Sequence, residues 1–219
     1  MKSTTPGLSG RQYVFAALLG ALLIGGCATT PTVVRPTKYP SSAKDWHGID
    51  SIEFLQELRL EDYSRLIMEP LNISATKLPP KDENTYAAAI RILNRADSIV
   101  LIEIQDRVKG NLEVSNAKPE SRSLEKTLLL RGKVTEIDPG SRAARYWIGF
   151  GAGRAWVTIS GEIVDAKTDK VLLSFEQRRL AVIGVFGGAY DGMLTDCVVE
   201  IGRDIGHMLV LFKSPETKK

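Results

Sequence analysis

Two cysteines and two histidines are present in a chain of 219 residues, and one of these four stands where its surroundings suggest chemistry. Cys27 follows Gly25 and Gly26, which close an apolar run from Tyr13 to Ile24. Lys2 and Arg11 make the segment before the run basic, and it holds no acidic residue. A basic start, an apolar middle and small residues before a cut are the three parts of an export signal. The run is shorter than the roughly 20 apolar residues that cross a bilayer comfortably. It therefore reads as a segment to be removed, with cleavage just before Cys27. A thiol left at the new N-terminus is a nucleophile that can carry a lipid.

The remaining candidates are weaker. Cys197 falls in a helical apolar pattern and reads as a small buried hydrophobe. With Cys27 acylated, it has no intramolecular partner, so no disulfide framework is expected. His47 stands beside Trp46, and His207 lies between apolar positions on a helix, facing solvent. No His-x-x-x-His or Cys-x-x-Cys spacing suggests a metal site, and nothing resembles the Gly-x-Ser-x-Gly of a serine nucleophile. The run Gly149-Phe-Gly-Ala-Gly-Arg154 lacks the Gly-Lys-Ser/Thr ending of a phosphate loop and leads into a strand, not a helix N-terminus. Aspartates and glutamates are scattered, so acid–base work would need a pair assembled by folding. The expectation is a protein that is not an enzyme, with no catalytic, cofactor or metal site.

The stretch Ile24-Gly25-Gly26-Cys27 resembles the lipobox of bacterial lipoproteins. The resemblance implies a thioether-linked lipid on Cys27, cleavage before it and acylation of the new amine. Several acyl chains would hold the chain firmly, at about 0.8 kcal/mol per buried CH₂. Ala28, where an aspartate would imply inner-membrane retention, points to an outer membrane and a periplasm-facing domain. Residues 1–26 are thus expected to be the signal peptide and 27–50 a tether rich in Pro, Thr, Ser and Lys. Residues 51–219 then form one domain, long enough to bury a substantial core. The chain's formal charge of +3 falls near neutral once Lys2 and Arg11 are removed. No basic stretch alternates with aromatics, so nucleic acid is not an expected partner.

Several elements must position whatever this domain uses. Ser51 can cap a short turn, and Arg65–Ile73 reads as a strand placed at an edge or bulge by Pro70. Thr85 to about Lys109 has apolar residues three and four apart, from Tyr86 and Ala89 through Val108, and stops at Gly110. That pattern predicts a helix, although its apolar middle also permits a strand. A short strand is expected at Leu112–Val114. Longer ones follow at Lys126–Asp138, Ala155–Asp165 and Lys170–Ala181, the last two joined by the Ala166–Asp169 turn. From about Tyr190 to Phe212, Leu194, Val198, Ile201, Ile205, Met208 and Leu209 form a second helical stripe. This order predicts an α+β fold: a mainly antiparallel sheet with two long helices packed on one face.

In an antiparallel meander, the loops at 140–153 and 184–192 leave the same end of the sheet. They carry Tyr146, Trp147, Ile148, Phe150, Phe186 and Tyr190 among glycines, with Arg142 and Arg145 nearby. Aromatics beside arginine on loops suit a protein contact. Tyr146, Trp147, Phe150, Phe186 and Tyr190 are accordingly the candidate partner contacts, the alternative being that these rings close the end of the core.

The segments Leu130–Gly140, Gly149–Ala155 and Val164–Leu172 resemble uncharacterised bacterial lipoproteins of domain-of-unknown-function family 4410. Leu60–Leu66 is similar to the start of a related family numbered 3313. The resemblance spans roughly Tyr63 to Phe212 and implies an envelope lipoprotein without lending it an activity. The expected function is a lipid-anchored, non-enzymatic accessory or binding component, with the membrane held through Cys27 and an envelope protein as partner. Two alternatives stand beside it. One is a subunit of an oligomeric export or secretion complex, since the element order is similar to that of curli-secretion lipoproteins. The other is an enzyme of wall or lipid metabolism.

Overall fold

A computed structural model of the chain describes residues 50–81, 84–116, 124–140, 154–181 and 189–212. All fall in one compact unit, Val33–Lys219, and none in the N-terminal unit Met1–Thr32. The elements are β1 (Ser51–Phe54), β2 (Arg65–Met68), α1 (Asn84–Val108), β3 (Glu113–Ser115), β4 (Thr127–Asp138), β5 (Trp156–Asp165), β6 (Lys170–Leu180) and α2 (Tyr190–Leu211). A 3-10 turn covers Leu60–Asp62.

The six strands form one sheet in the order β1-β6-β5-β4-β2-β3. β1 pairs with β6, β6 with β5 and β5 with β4 in antiparallel fashion. β2 runs parallel to both β4 and β3. The sheet is therefore mixed, which corrects the mainly antiparallel arrangement expected from the sequence. The cause is connectivity. The link from β2 to β3 passes through the 25-residue helix α1, and such a crossover returns the chain in its original direction. A second correction concerns β2, which lies inside the sheet, not at its edge. Pro70 falls just beyond its paired residues, where Glu69 N–H still donates to the Leu130 carbonyl and Asn72 bridges to Lys133. Ser51, expected to cap a turn, instead begins the edge strand β1.

Alternation then decides the two faces. Leu128, Leu130, Val134 and Ile137 of β4, Val157, Ile159 and Ile163 of β5, and Leu173 and Phe175 of β6 join one core. The register shifts between Val134 and Glu136, which lets two residues three apart share that face. Ala89, Ile92, Ala96, Val100 and Ile104 of α1 meet it, as do Leu194, Val198, Ile201 and Ile205 of α2. α1 stays helical throughout and ends at Gly110, whose φ of +81° is the left-handed conformation glycine adopts easily. The two helices run in the same direction, joined by the ion pairs Arg91–Asp191 and Arg203–Glu103, both 2.9 Å. Gly202 and Gly206 lie against Val100, Glu103, Ile104 and Arg107. A polar network crosses from β6 to α2: Gln177 Nε2 donates to Asp204 Oδ2 at 2.8 Å, and Arg179 holds both Asp204 oxygens at 2.6 Å.

The opposite face is mostly polar. Its buried apolar part includes a small cluster of Ile67, Leu129, Val164 and Ala166 near the β5–β6 turn. There Asp165 accepts from the Thr168 amide at 2.7 Å, the Thr168 hydroxyl and the Tyr63 hydroxyl, both at 2.9 Å.

Candidate functional site at one end of the sheet

Pairing places Trp156 opposite both Asp138 and Leu180. The ends of β4 and β6 and the start of β5 thus coincide, and the Ala166–Asp169 turn lies at the other end of the same strands. The segments 141–153 and 182–188 begin and finish beside this shared end. Tyr146, Trp147, Phe150 and Phe186 lie outside the described residues, as does Cys27. Tyr190, the first residue of α2, is half-buried and packs against the main core.

Three residues absent from the sequence-derived candidates stand at this end. The Arg178 guanidinium sits 4.8 Å from the centre of the Trp156 ring, within the range of a cation–π contact. Leu180 is 50% exposed, a large apolar side chain facing outward at the strand's end. Their outward positions follow from strand alternation once Val157 and Ile159 are assigned inward. What alternation alone does not supply is the register that puts Trp156 beside Leu180. The backbone around them is fixed: Gly140 N–H donates to Asp138 Oδ1 at 2.6 Å with φ +71°, which closes the turn after β4. Lys77 Nζ lies 2.7 Å from Glu136 Oε1, and that hydrogen bond holds the carboxyl below its ordinary range. The Trp156 indole lies near enough to Glu136 to favour the same charge, although its N–H makes no well-formed hydrogen bond.

Cys197 is buried and free, and burial pushes its thiol up to about 12. Its place beside the apolar stripe of α2 is that of a small core side chain. His207 lies on the exposed face of α2. Among the described residues, no group of three His, Cys, Asp or Glu side chains is placed to hold a metal ion.

A concave feature lies on the polar face of the sheet. It is a cleft of about 570 Å³ whose walls include Ser51 and Glu53 of β1, Arg131 and Lys133 of β4, Ser160 and Glu162 of β5, and Ser174 and Glu176 of β6. Register sets Arg131, Glu162, Ser174 and Glu53 in one cross-strand row, and Lys133, Ser160, Glu176 and Ser51 in the next.

The model of a family described as a domain of unknown function (DUF4410) matches residues 68–184, more than half of the chain. No curated protein matches at a significant level. Among solved structures, the PelC dodecamer from Paraburkholderia phytofirmans is similar at 13% identity, over 70% of this chain and 97% of that one, with a TM-score of 0.42. Protein XCC0632 from Xanthomonas campestris is similar at 10% identity over 69% and 87% of the two chains, with a TM-score of 0.42. A candidate lipoprotein from Caulobacter crescentus CB15 follows at 11% identity over 62% and 86%, with a TM-score of 0.32. These are loose likenesses of chain path.

Proposed function

The chain belongs to the DUF4410 family, and we propose that it is a lipid-anchored, non-enzymatic binding component of the bacterial envelope, held through Cys27. The observation that carries the anchor is the order of basic start, apolar run and Ile24-Gly25-Gly26-Cys27 in the sequence. Among the described residues, no helix is long and apolar enough to cross a membrane, so lipid is the attachment that this reading uses. Ala28 after the cysteine supports the outer membrane, with the domain facing the periplasm. Binding is assigned to the sheet end where Trp156, Arg178 and Leu180 stand beside the two aromatic- and glycine-rich segments. An aromatic ring under a guanidinium next to an exposed leucine is the composition of a protein contact.

Metabolic labelling with radioactive palmitate tests the anchor. The expected result is a labelled, membrane-fractionating protein that becomes unlabelled and soluble when Cys27→Ala is introduced. Label that persists in Cys27→Ala, or a wild-type chain without label, contradicts the proposal.

A further inference from the structure

We propose that the partner met at the shared end of β4, β5 and β6 is an acidic protein surface. Arg178 clamps its carboxylate, and an apolar side chain beside that carboxylate covers Leu180. This step rests on the protein contact assigned to this end above, and adds the chemistry of the partner.

Register builds the surface. Trp156 pairs with Leu180, and Thr158, two residues further along β5, pairs with Arg178 on one side and Glu136 on the other. Trp156, Arg178 and Leu180 therefore share the outward face of the sheet. The Arg178 guanidinium lies 4.8 Å from the centre of the indole ring. A guanidinium held against a ring keeps its edge N–H groups for a carboxylate, which it can bind through two parallel hydrogen bonds. Arg178 is exposed, and its guanidinium forms no ion pair with any described residue. The nearby carboxylates are turned to other donors. Glu136 is held by Lys77 Nζ at 2.7 Å, Asp138 accepts from the Gly140 amide at 2.6 Å, and Asp50 accepts from the Arg178 amide at 2.8 Å.

The surroundings carry the same sign. Arg154, two residues before Trp156, is exposed and forms no ion pair with any described residue. Residues 139–155 include Arg142, Arg145 and Arg154 but no Asp or Glu, and residues 181–189 carry no charge. An excess of guanidinium groups draws an anionic counterpart and disfavours a cationic one. Leu180 separates a protein from a membrane as that counterpart. It is 50% exposed beside the Trp156 ring, an apolar contact the size of one side chain. An element that enters a bilayer presents a broad apolar face instead.

In-cell photo-crosslinking of the full chain, with a photoreactive residue at Leu180, tests this. The expected adduct is a protein whose cross-linked peptide, read by mass spectrometry, carries an Asp or Glu. Arg178→Glu is expected to lower the yield about tenfold, and Arg178→Lys about threefold, because an ammonium keeps the charge but loses the fork. Lys170→Glu makes the same charge change at the other end of β6 and is expected to hold the yield within about twofold. Replacing the partner's acidic residue by Arg is expected to restore the adduct of Arg178→Glu, which a misfolded variant could not do. No adduct in the parent, or an adduct to lipid alone, overturns the protein contact and this inference with it. A protein adduct that Arg178→Glu leaves unchanged, that Lys170→Glu lowers equally, or that the partner's charge swap does not restore overturns the acidic partner alone. So does a cross-linked peptide without Asp or Glu.

Discussion

Asp165 shows how one side chain can hold a turn and report on it. Burial alone would raise its carboxyl, but the Thr168 amide and hydroxyl and the Tyr63 hydroxyl outweigh that and keep it below the ordinary range. A carboxylate whose folded value is depressed contributes stability that is present above the unfolded value of about 4 and is lost as pH falls through the folded one. Tyr63→Phe removes one donor and is expected to cost about 1 kcal/mol in urea unfolding at neutral pH. The cost should shrink below about pH 4, as the carboxylate that receives the bond is protonated. A difference that stays constant across this range would contradict the assignment. Cys197 makes the opposite case. Its thiol, raised by burial, should resist alkylation at pH 8 until the domain unfolds. Rapid labelling of the native protein would place it elsewhere than in the core.

The contact between the helices depends on residues too small to attract notice in a hydrophobic pattern. A Cβ added at Gly202 would come 2.8 Å from the Glu103 Cβ and 3.2 Å from the Val100 Cα. At Gly192, in the first turn of α2, nothing lies within 4 Å. Gly202→Ala is therefore expected to destabilise by about 1–3 kcal/mol, less whatever helix propensity returns. Gly192→Ala should instead stabilise by roughly 0.5–1 kcal/mol. Thermal melting of both variants separates them, and shifts of the same sign would contradict the packing.

Periodicity makes most of these elements legible in the sequence. The stripe from Leu194 to Leu209 marked α2, Gly110 marked the end of α1, and alternation marked β4 to β6 within a residue or two. Pairing was not legible, because it depends on which strands become neighbours. β2 carries the buried run Leu66-Ile67-Met68, a pattern that fits an interior parallel strand, yet the nearby proline pointed to an edge. β1 has four residues, too few for alternation to reveal.

At the scale of the whole molecule, the two faces of the sheet divide the work. One face and the two helices build the core, while the other carries the charged cleft. The shared end of β4, β5 and β6 presents Trp156, Arg178 and Leu180. That β4 and β6 end where β5 begins was foreseeable from the turn at 166–169. The cleft was not, since Glu162 and Glu176 become neighbours only through register. Under the proposed function, this end of the lipid-anchored domain binds an envelope protein. In-cell photo-crosslinking tests it most directly, with a photoreactive residue at Leu180 and, separately, at Trp147, each with and without Cys27→Ala. The expected result is the same discrete adduct from both positions, lost when the anchor is removed. No adduct from either position would contradict it and make this end of the sheet only a cover for the core.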